Sequence, residues 1–532
     1  MFKVPVSLNE DIKKYELHVN DFINEKISKK DFKPFAAESG VYWERDGINY
    51  MIRPRIPSGI ISLFSLKKIV ELAKKYNGSR LHFTTRQDIQ FHGIKLENTI
   101  KIVKELKEYE IYTRGTGGNT ARNITIPPLT GLIENEKFDV APYALVATEF
   151  LIQDSTNYSL PRKYKIGFSS TDEDIAHVKI SDLGFLAKIK NNKKGFVVYG
   201  AGGLGAVARP AIILKDFISE NEVIYYVQAM KRVFDKYGDR TNKSKARIRF
   251  ILERLGEEEF KKIFFEELEN VKKEINIENI NISKFNKINY FINGEKNSRK
   301  QDVIKSKYKN RYILHIKPEN GNVEPKKFYE FLLKLEKIDK NLEFRLSLNQ
   351  DFYIVGIDGK DVNKILELKK NYFKEPKSNN IKACTGATTC QLGICSSQGL
   401  LGNILQTLNK EEVKYLPEIN ISGCPNSCAQ HQIAELGFSG RKIRVNDNVV
   451  PAYSVYINGN VKNKIAEFGE EIGILPAKKI IDFLRYVAKL RQNDNSEISK
   501  FYKKNKSKLI DKIAEINLEI KNNFNKDLSI DY

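Results

Sequence analysis

Arg86-Gln87-Asp88-Ile89-Gln90-Phe91-His92-Gly93-Ile94 lies over Asn349-Gln350-Asp351-Phe352-Tyr353-Ile354-Val355-Gly356-Ile357 at a constant offset of 263 residues. The Gln-Asp and Gly-Ile pairs fall in register, and so do the elements before them. A helix with Leu66, Ile69, Val70 and Ala73 on one face, capped by Ser65 and ending at Gly78, precedes the strand His82 to Ile94. A helix opened by Pro325, with Phe328, Phe331, Leu332 and Leu335 on one face, precedes a strand ending at Ile357. Helix and strand recurring together make a duplicated αβ half. Two related halves invite one shared site at a pseudo-twofold axis.

Outward from this repeat the chain changes character. Residues 1–45 are charged and weakly periodic, an N-terminal wrap; Tyr50 to Pro57 reads as extended, because a residue before proline avoids the helical region. Between the halves stands a different unit, roughly 116–280, containing Gly117-Gly118-Asn119-Thr120-Ala121-Arg122-Asn123 and Lys245-Ala246-Arg247-Ile248-Arg249-Phe250. Polar residues 281–310 read as a linker back to the second half. Past a second polar break at Lys374 to Lys382 come the cysteines, then a strand over Ile443 to Val455, helices from Pro476 onward, and a frayed end over Asn523 to Tyr532.

The 532 residues, 41% hydrophobic and 29% charged, suffice for more than one core, and no run is long and apolar enough to span a membrane. The net charge of +22 favours anionic partners, although general surface lysine accounts for part of it. Five cysteines, an odd number crowded into residues 384–428, do not make a secreted disulfide framework; a cytoplasmic protein is expected. A cluster-bearing nucleic-acid-binding protein is the competing class, but no aromatic–basic stripe supports it.

Three sets of residues carry chemistry. Cys384 and Cys390 are separated by five residues, and Cys424 and Cys428 by three. Zinc ligands usually pair at closer spacing, whereas four thiolates from two loops suit a cubane iron–sulfur cluster. Cys395 falls outside the set and reads as a small core residue or a neighbour of the site. The second set is Lys163 and Lys165, which at i and i+2 on a strand point to one face; like charges so placed need an anion between them. With Arg86 and Arg122 they form a cationic cage for a small oxyanion. The third, Gly200-Ala201-Gly202-Gly203-Leu204-Gly205, matches the dinucleotide pattern weakly, since Pro210 interrupts the helix that should hold the pyrophosphate.

Taken together these residues resemble the sirohaem-dependent sulfite and nitrite reductases over residues 40 to 490. The resemblance is carried by the Cys-x5-Cys and Cys-x3-Cys pair with Gly423-Cys424-Pro425-Asn426-Ser427-Cys428, by Thr84-Thr85-Arg86-Gln87 to Ile94, by Arg122-Asn123, and by Leu160-Pro161-Arg162-Lys163 with Lys165. It implies an α+β, three-lobed sulfite/nitrite reductase fold with pseudo-twofold duplicated ferredoxin-like halves. The halves would be residues 46–115 and 305–373, with a sirohaem- and substrate-binding domain over 116–304 and a cluster domain with a helical tail over 374–532.

The resemblance also implies a sirohaem at the junction of the halves beside a [4Fe–4S] cluster. Cys384, Cys390, Cys424 and Cys428 would hold the cluster, with the Cys428 thiolate also bridging to the sirohaem iron. Arg86, Arg122, Lys163 and Lys165 would surround the substrate, and Arg53, Arg162, Asn349, Gln350 and Asn426 would contact sirohaem. Sirohaem carries many carboxylates, which gives part of the basic excess a reason. The implied reaction is six-electron reduction of sulfite, or alternatively nitrite, with electrons from ferredoxin or a flavoprotein partner to a monomeric enzyme. Lys165 favours sulfite, because nitrite-specialised members have an asparagine there and a doubly cationic pair suits a dianion. No cysteine precedes Cys384, so the tyrosine–cysteine link of some members is absent.

Overall fold

The computed structural model describes residues 3–277, 281–285, 294–295 and 303–532, so much of the expected 281–310 linker lies outside the described residues. The chain divides into two compact units. One comprises Met1–Trp43, Ile48–Gly203 and Ala211–Lys374; the other comprises Glu44–Gly47, Leu204–Pro210 and Glu375–Tyr532. Among the described residues no helix is long and apolar enough to cross a membrane.

The first unit holds the duplicated halves as two five-stranded antiparallel sheets. The first runs Val41–Trp43, Tyr50–Ile52, Ile89–Ile94, Arg80–Phe83, Asn322–Val323, and the second Ile304–Lys305, Arg311–Ile316, Phe352–Asp358, Glu343–Leu346, Ile60–Ser62. Each half thus lends an edge strand to the other: Ile60–Ser62 pairs with Glu343–Leu346, and Asn322–Val323 with Arg80–Phe83. The exchange closes an edge on each sheet that would otherwise expose unpaired backbone groups. Helices Leu63–Lys75 and Pro325–Ile338 cover the sheets, and Phe83 from one half packs on Phe352 of the other at 4.9 Å between ring centres. The cap of the first helix is Ser62, whose hydroxyl accepts from the Ser65 amide at 3.1 Å, rather than Ser65 itself.

The expected single strand His82 to Ile94 is a hairpin. It turns at Thr84–Asp88, with Gln87 at φ +58° and the Thr84 hydroxyl accepting from the Arg86 and Asp88 amides at 3.2 and 3.0 Å. The second copy repeats the device: Gln350 sits at φ +64°, and the Ser347 hydroxyl accepts from the Asn349 amide at 2.9 Å. The turn lifts Arg86 off the sheet, and in the other half it lifts Asn349.

The same unit contains a four-stranded sheet, Ile166–Ser169, Leu183–Lys190, Lys193–Gly200 and Ile212–Ser219, packed on helices Ala141–Gln153 and Val223–Tyr237. After Gly200 the next regular element is the strand Ile212–Ser219, not a helix, so the glycine-rich stretch has no helix N-terminus to offer a pyrophosphate.

The second unit is built on a five-stranded sheet ordered Ile381–Ala383, Ile419–Ser422, Leu436–Val445, Asn448–Ile457, Glu470–Pro476. The strand expected over Ile443 to Val455 is instead a hairpin that reverses at Asn446 and Asp447, both at positive φ, the two-residue turn that matches strand twist. The C-terminus is docked rather than frayed. Leu528 is buried, the Asp531 carboxylate accepts the Ser396 amide at 2.7 Å, and the Tyr532 hydroxyl donates to Ala477 O at 3.3 Å.

The region expected to be a different unit between the halves is a second duplication. Ile166–Ser169 and Leu183–Lys190 pair in parallel, as do Ile419–Ser422 and Leu436–Val445, 253 residues later, and each long strand continues into an antiparallel hairpin. Between the parallel strands the loops share backbone geometry: Asp174 and His177 have φ +52° and +58°, and their counterparts Ser427 and Gln430 have +55° and +65°. Both loops end in a single 3₁₀ turn, Val178–Ile180 and His431–Ile433. Gly184 and Gly437 then let the long strand pass against that turn, since a Cβ would lie 2.3 Å from Val178 O and 2.0 Å from His431 O. Gly437→Ala is therefore expected to lower stability by about 3 kcal/mol, read as a fall in the denaturant midpoint of the full chain.

Candidate functional site

The first unit assembles cations around one buried carboxylate. Lys163 and Lys165 lie just before the strand Ile166–Ser169 rather than on it, flanking Tyr164, which forms an isolated bridge to Ala121, is fully buried and donates its hydroxyl to Val227 O at 3.1 Å. The Lys165 amide donates to Asp182 Oδ2 at 2.8 Å, and Arg247 grips the same carboxylate in bidentate fashion, Nε to Oδ1 at 3.1 Å and Nη2 to Oδ2 at 2.7 Å. Arg86 reaches in from its hairpin turn, donating from Nη2 to Ile166 O at 3.0 Å, while its Nε has no hydrogen-bond partner. The turn is pinned by Asn123, whose side-chain amide donates to the carbonyls of Ile56, Arg86 and Gln87 and whose Oδ1 accepts from the Ser58 amide.

Burial, then the charges of Arg247, Arg86 and Lys163, push the Lys165 ammonium well below its usual range, with Asp182 opposing. Burial likewise brings Arg86 down to about 9, with Arg122 and Arg247 adding to it. Burial lowers Arg122 to about 10, helped by Arg53, so both guanidiniums stay charged at neutral pH. This concentration of positive charge is stable only against an anion.

Arg122 is buried, with Nη1 donating to Thr116 O and Nη2 to Gly118 O at 2.7 Å. Tyr42 stands beside it. Its hydroxyl accepts the Gly118 amide at 2.8 Å, and Gly117 must lack a side chain there because a Cβ would fall 2.3 Å from that oxygen. Burial alone would raise this phenol, yet Arg122 and Arg53 bring it below its usual range. Arg53 donates from Nη1 to Thr116 O at 3.2 Å, Arg162 is half-buried, and Asn349 is exposed on its turn. Gln350 is buried with Nε2 3.2 Å from His82 Nε2.

The second unit brings four thiols into one electrostatic neighbourhood. Cys384 Sγ accepts the Gly423 amide at 3.2 Å and lies 3.2 Å from the Ser397 hydroxyl. Burial raises its thiol to about 12, with Cys428 as the next cause. Cys424 is also raised, by burial and by Cys428 and Cys390, although Asn426 hydrogen-bonds it and acts the other way. Asn426 and Cys428 are exposed. Cys395 is fully buried, its Sγ against the carbonyls of Arg441 and Ala452 at 3.2 and 3.4 Å. Its backbone ties the two cysteine loops together: Cys395 N donates to Gly423 O, and Cys395 O accepts from Ala387 N, both at 2.9 Å.

Among the described residues no three His, Cys, Asp or Glu side chains close on a point that one ion could fill. Cys384, Cys390, Cys424 and Cys428 are soft donors of the kind an iron–sulfur cluster takes, and cluster binding would displace their protons. In the first unit the orphaned guanidinium nitrogens Arg86 Nε, Arg122 Nε and Arg249 Nε fit a ligand rich in carboxylates.

Asp182, Arg247, Tyr42 and Asn123 were not among the expected site residues. The second duplication exposes Asp182, since Glu435 is its counterpart and accepts the Glu418 amide at 2.8 Å just as Asp182 accepts that of Lys165. The carboxylate brace belongs to the fold; in the first copy an arginine also grips it in bidentate fashion. Asp182→Asn should therefore cost about 3–5 kcal/mol by stranding Arg247 among cations, whereas Glu435→Gln should cost about 1 kcal/mol, compared by chemical denaturation.

The nitrite/sulfite reductase ferredoxin-like half domain matches residues 44–109, and the nitrite and sulphite reductase 4Fe-4S domain matches residues 117–272. The chain is 25% identical over 496 residues to the sulfite reductase [NADPH] hemoprotein beta-component of Buchnera aphidicola, spanning 85% of this chain and 82% of that one. It is 26% identical over 437 residues to the ferredoxin–nitrite reductase of Synechococcus elongatus, spanning 79% and 82%. The Mycobacterium tuberculosis NirA protein shares the fold with a TM-score of 0.78 at 20% identity, over 94% of this chain and 96% of that one. The architecture is the α+β sulfite/nitrite reductase fold. The chain is an oxidoreductase that belongs to the nitrite and sulfite reductase family.

The matched 4Fe-4S span, 117–272, contains no cysteine. Its internal copy holds them: Thr171 and Ile175 stand where Cys424 and Cys428 stand 253 residues later.

Proposed function

We propose that the chain reduces sulfite to sulfide by six electrons at a sirohaem coupled to a [4Fe–4S] cluster, with an external donor such as ferredoxin. The observation that carries this reading is the set of Lys163, Lys165, Arg86 and Arg247 around the single carboxylate of Asp182, an excess of positive charge that suits a dianion. Cys384, Cys390, Cys424 and Cys428 would hold the cluster, and Arg53, Arg162, Asn349, Gln350 and Asn426 are assigned to sirohaem. When bound, these groups would relay electrons from the donor to the substrate.

The chain's own residues bind and protonate. Arg86 and Arg122 hold the oxyanion's charge, and Lys165 Nζ, its pKa depressed by burial, gives a proton to oxygen that leaves as water. Reduction of nitrite to ammonia is the second reading, supported by relatives named ferredoxin–nitrite reductase that match over a similar share of the chain.

Anaerobic assays with reduced methyl viologen decide between the two: kcat/KM is expected to be higher for sulfite, and a much higher value for nitrite would overturn the proposal. An absorption spectrum of protein made in a sirohaem-competent host tests the cofactor assignment, which fails if no tetrapyrrole bands appear.

A further inference from the structure

Arg249 is a buried cation to which neither the oxyanion nor the cluster gives a role. It lies in the first turn of the helix Ile248–Leu255, is 6% exposed, and has neither Nε nor Nη1 hydrogen-bonded. Arg247, two residues earlier, is paired with Asp182 through Nε and Nη2, and the Asp182 oxygens are in turn filled by Arg247 and the Lys165 amide. Glu253 acts on Arg249 only at a distance and is exposed. The guanidinium carbon rests 4.7 Å from the Phe250 ring centre, and a Cβ on Gly203 would stand 2.6 Å from Nη1. Packing thus fixes the group while leaving its donors without a partner. A guanidinium removed from water in this way needs an anionic acceptor.

Position narrows the anion. Arg249 packs against Gly203 and Phe250 and, unlike Arg247 and the Lys165 amide, makes no hydrogen bond to Asp182, the carboxylate that the oxyanion cage surrounds. A rigid ligand with carboxylates distributed around its rim reaches donors outside that set, and a planar guanidinium matches carboxylate geometry. We infer that Arg249 binds a peripheral carboxylate of the tetrapyrrole, an assignment that rests on the function proposed above.

The test uses full-length chain produced without tetrapyrrole, titrated with uroporphyrin III, an octacarboxylate, and with coproporphyrin III, a tetracarboxylate, by fluorescence quenching. Arg249→Met is expected to weaken uroporphyrin binding about tenfold, with a smaller loss for coproporphyrin and partial rescue in Arg249→Lys. The ligand-free Arg249→Met protein is expected to melt no lower than wild type, because an unpaired buried charge has been removed. Equal affinities of wild type and Arg249→Met overturn the inference. So does a melting temperature that falls together with affinity, which would make Arg249 a structural residue. Unchanged porphyrin affinity with lost sulfite-induced spectral change in the loaded enzyme overturns it in favour of an oxyanion. A wild-type chain that takes up no porphyrin at all overturns the proposed function as well, so the two failures are distinguishable.

Discussion

Cys428→Ser is expected to yield a folded chain that has lost its iron and at least a hundredfold of its reductase activity. The size follows from ligand chemistry: removing partners one shell out already costs about 10–100-fold at metal sites, and a hydroxyl is a poor substitute for a thiolate toward iron. That the chain should still fold follows from the second duplication. Ile175 occupies the equivalent of Cys428 and Thr171 that of Cys424, yet the loop keeps its two left-handed residues, its 3₁₀ turn and its close glycine. The loop's geometry therefore does not depend on the thiols. Cys428 is exposed and Cys424 buried, so the serine hydroxyl at 428 also incurs little desolvation. Iron and acid-labile sulfide per chain, measured beside the melting temperature, check the expectation; full iron content in Cys428→Ser would remove that residue from the ligand set. Cys395→Ala is the internal control. Its thiol faces only the Arg441 and Ala452 carbonyls, and its tie between the cysteine loops is made by backbone atoms, so iron content should hold.

Which of these relationships could be read from residues alone depends on how far apart their causes lie. The first duplication was legible because Gln87-Asp88 and Gln350-Asp351 build the same turn and Gly93 and Gly356 take the same positive φ, at +74° and +78°. The second was not. Its copies share Ser169/Ser422, Ala176/Ala429, Ile180/Ile433 and Gly184-Phe185/Gly437-Phe438, but the left-handed positions are filled by four different non-glycine residues. Backbone conformation is repeated there without the residue type that usually announces it.

Strand exchange was equally hidden, because Ile60–Ser62 and Asn322–Val323 are short and pair with segments more than 200 residues away. Two hairpins read as single strands. At Thr84–Asp88 no glycine or proline marks the turn, whereas Asn446-Asp447 did carry a usable signal. In the site, the cysteines stood out by rarity and Lys163 with Lys165 by like charge at i and i+2. The same spacing at Arg247 and Arg249 carries no such signal, because Arg249 lies in the helix Ile248–Leu255, where residues two apart do not share a face. Asp182 could be found only through Arg247, 65 residues on, since a single aspartate carries no signal until its partner is known.

Lys165→Asn is expected to lower kcat/KM for sulfite about a hundredfold and for nitrite only about tenfold. Two unit charges 4 Å apart interact by about 4 kcal/mol at an effective dielectric near 20, and doubling the anion's charge doubles that attraction. Only part of it survives as a difference between substrates, because Arg86, Arg122 and Lys163 remain. Equal losses for the two anions would sink the charge argument for sulfite. The pH dependence is a second handle. In the anion-free protein burial and the neighbouring Arg247, Arg86 and Lys163 hold the Lys165 pKa well below 10.5. As pH rises through that depressed value the ammonium is lost, so kcat/KM should fall on an alkaline limb placed below the usual lysine range. Lys165→Arg keeps its charge and should move this limb upward, at reduced kcat, since a guanidinium is a poor proton donor.

Stability responds with the opposite sign. Between the depressed folded pKa and the unfolded value the unfolded chain binds the extra proton, so stability rises with pH across that window and the cost of the buried ammonium is in force below it. Lys165→Met should therefore stabilise the anion-free protein at neutral pH and flatten the rise, and adding sulfite should stabilise wild type but not the variant. A variant that melts lower than wild type at every pH would mean that Lys165 holds the fold together rather than waiting for an anion.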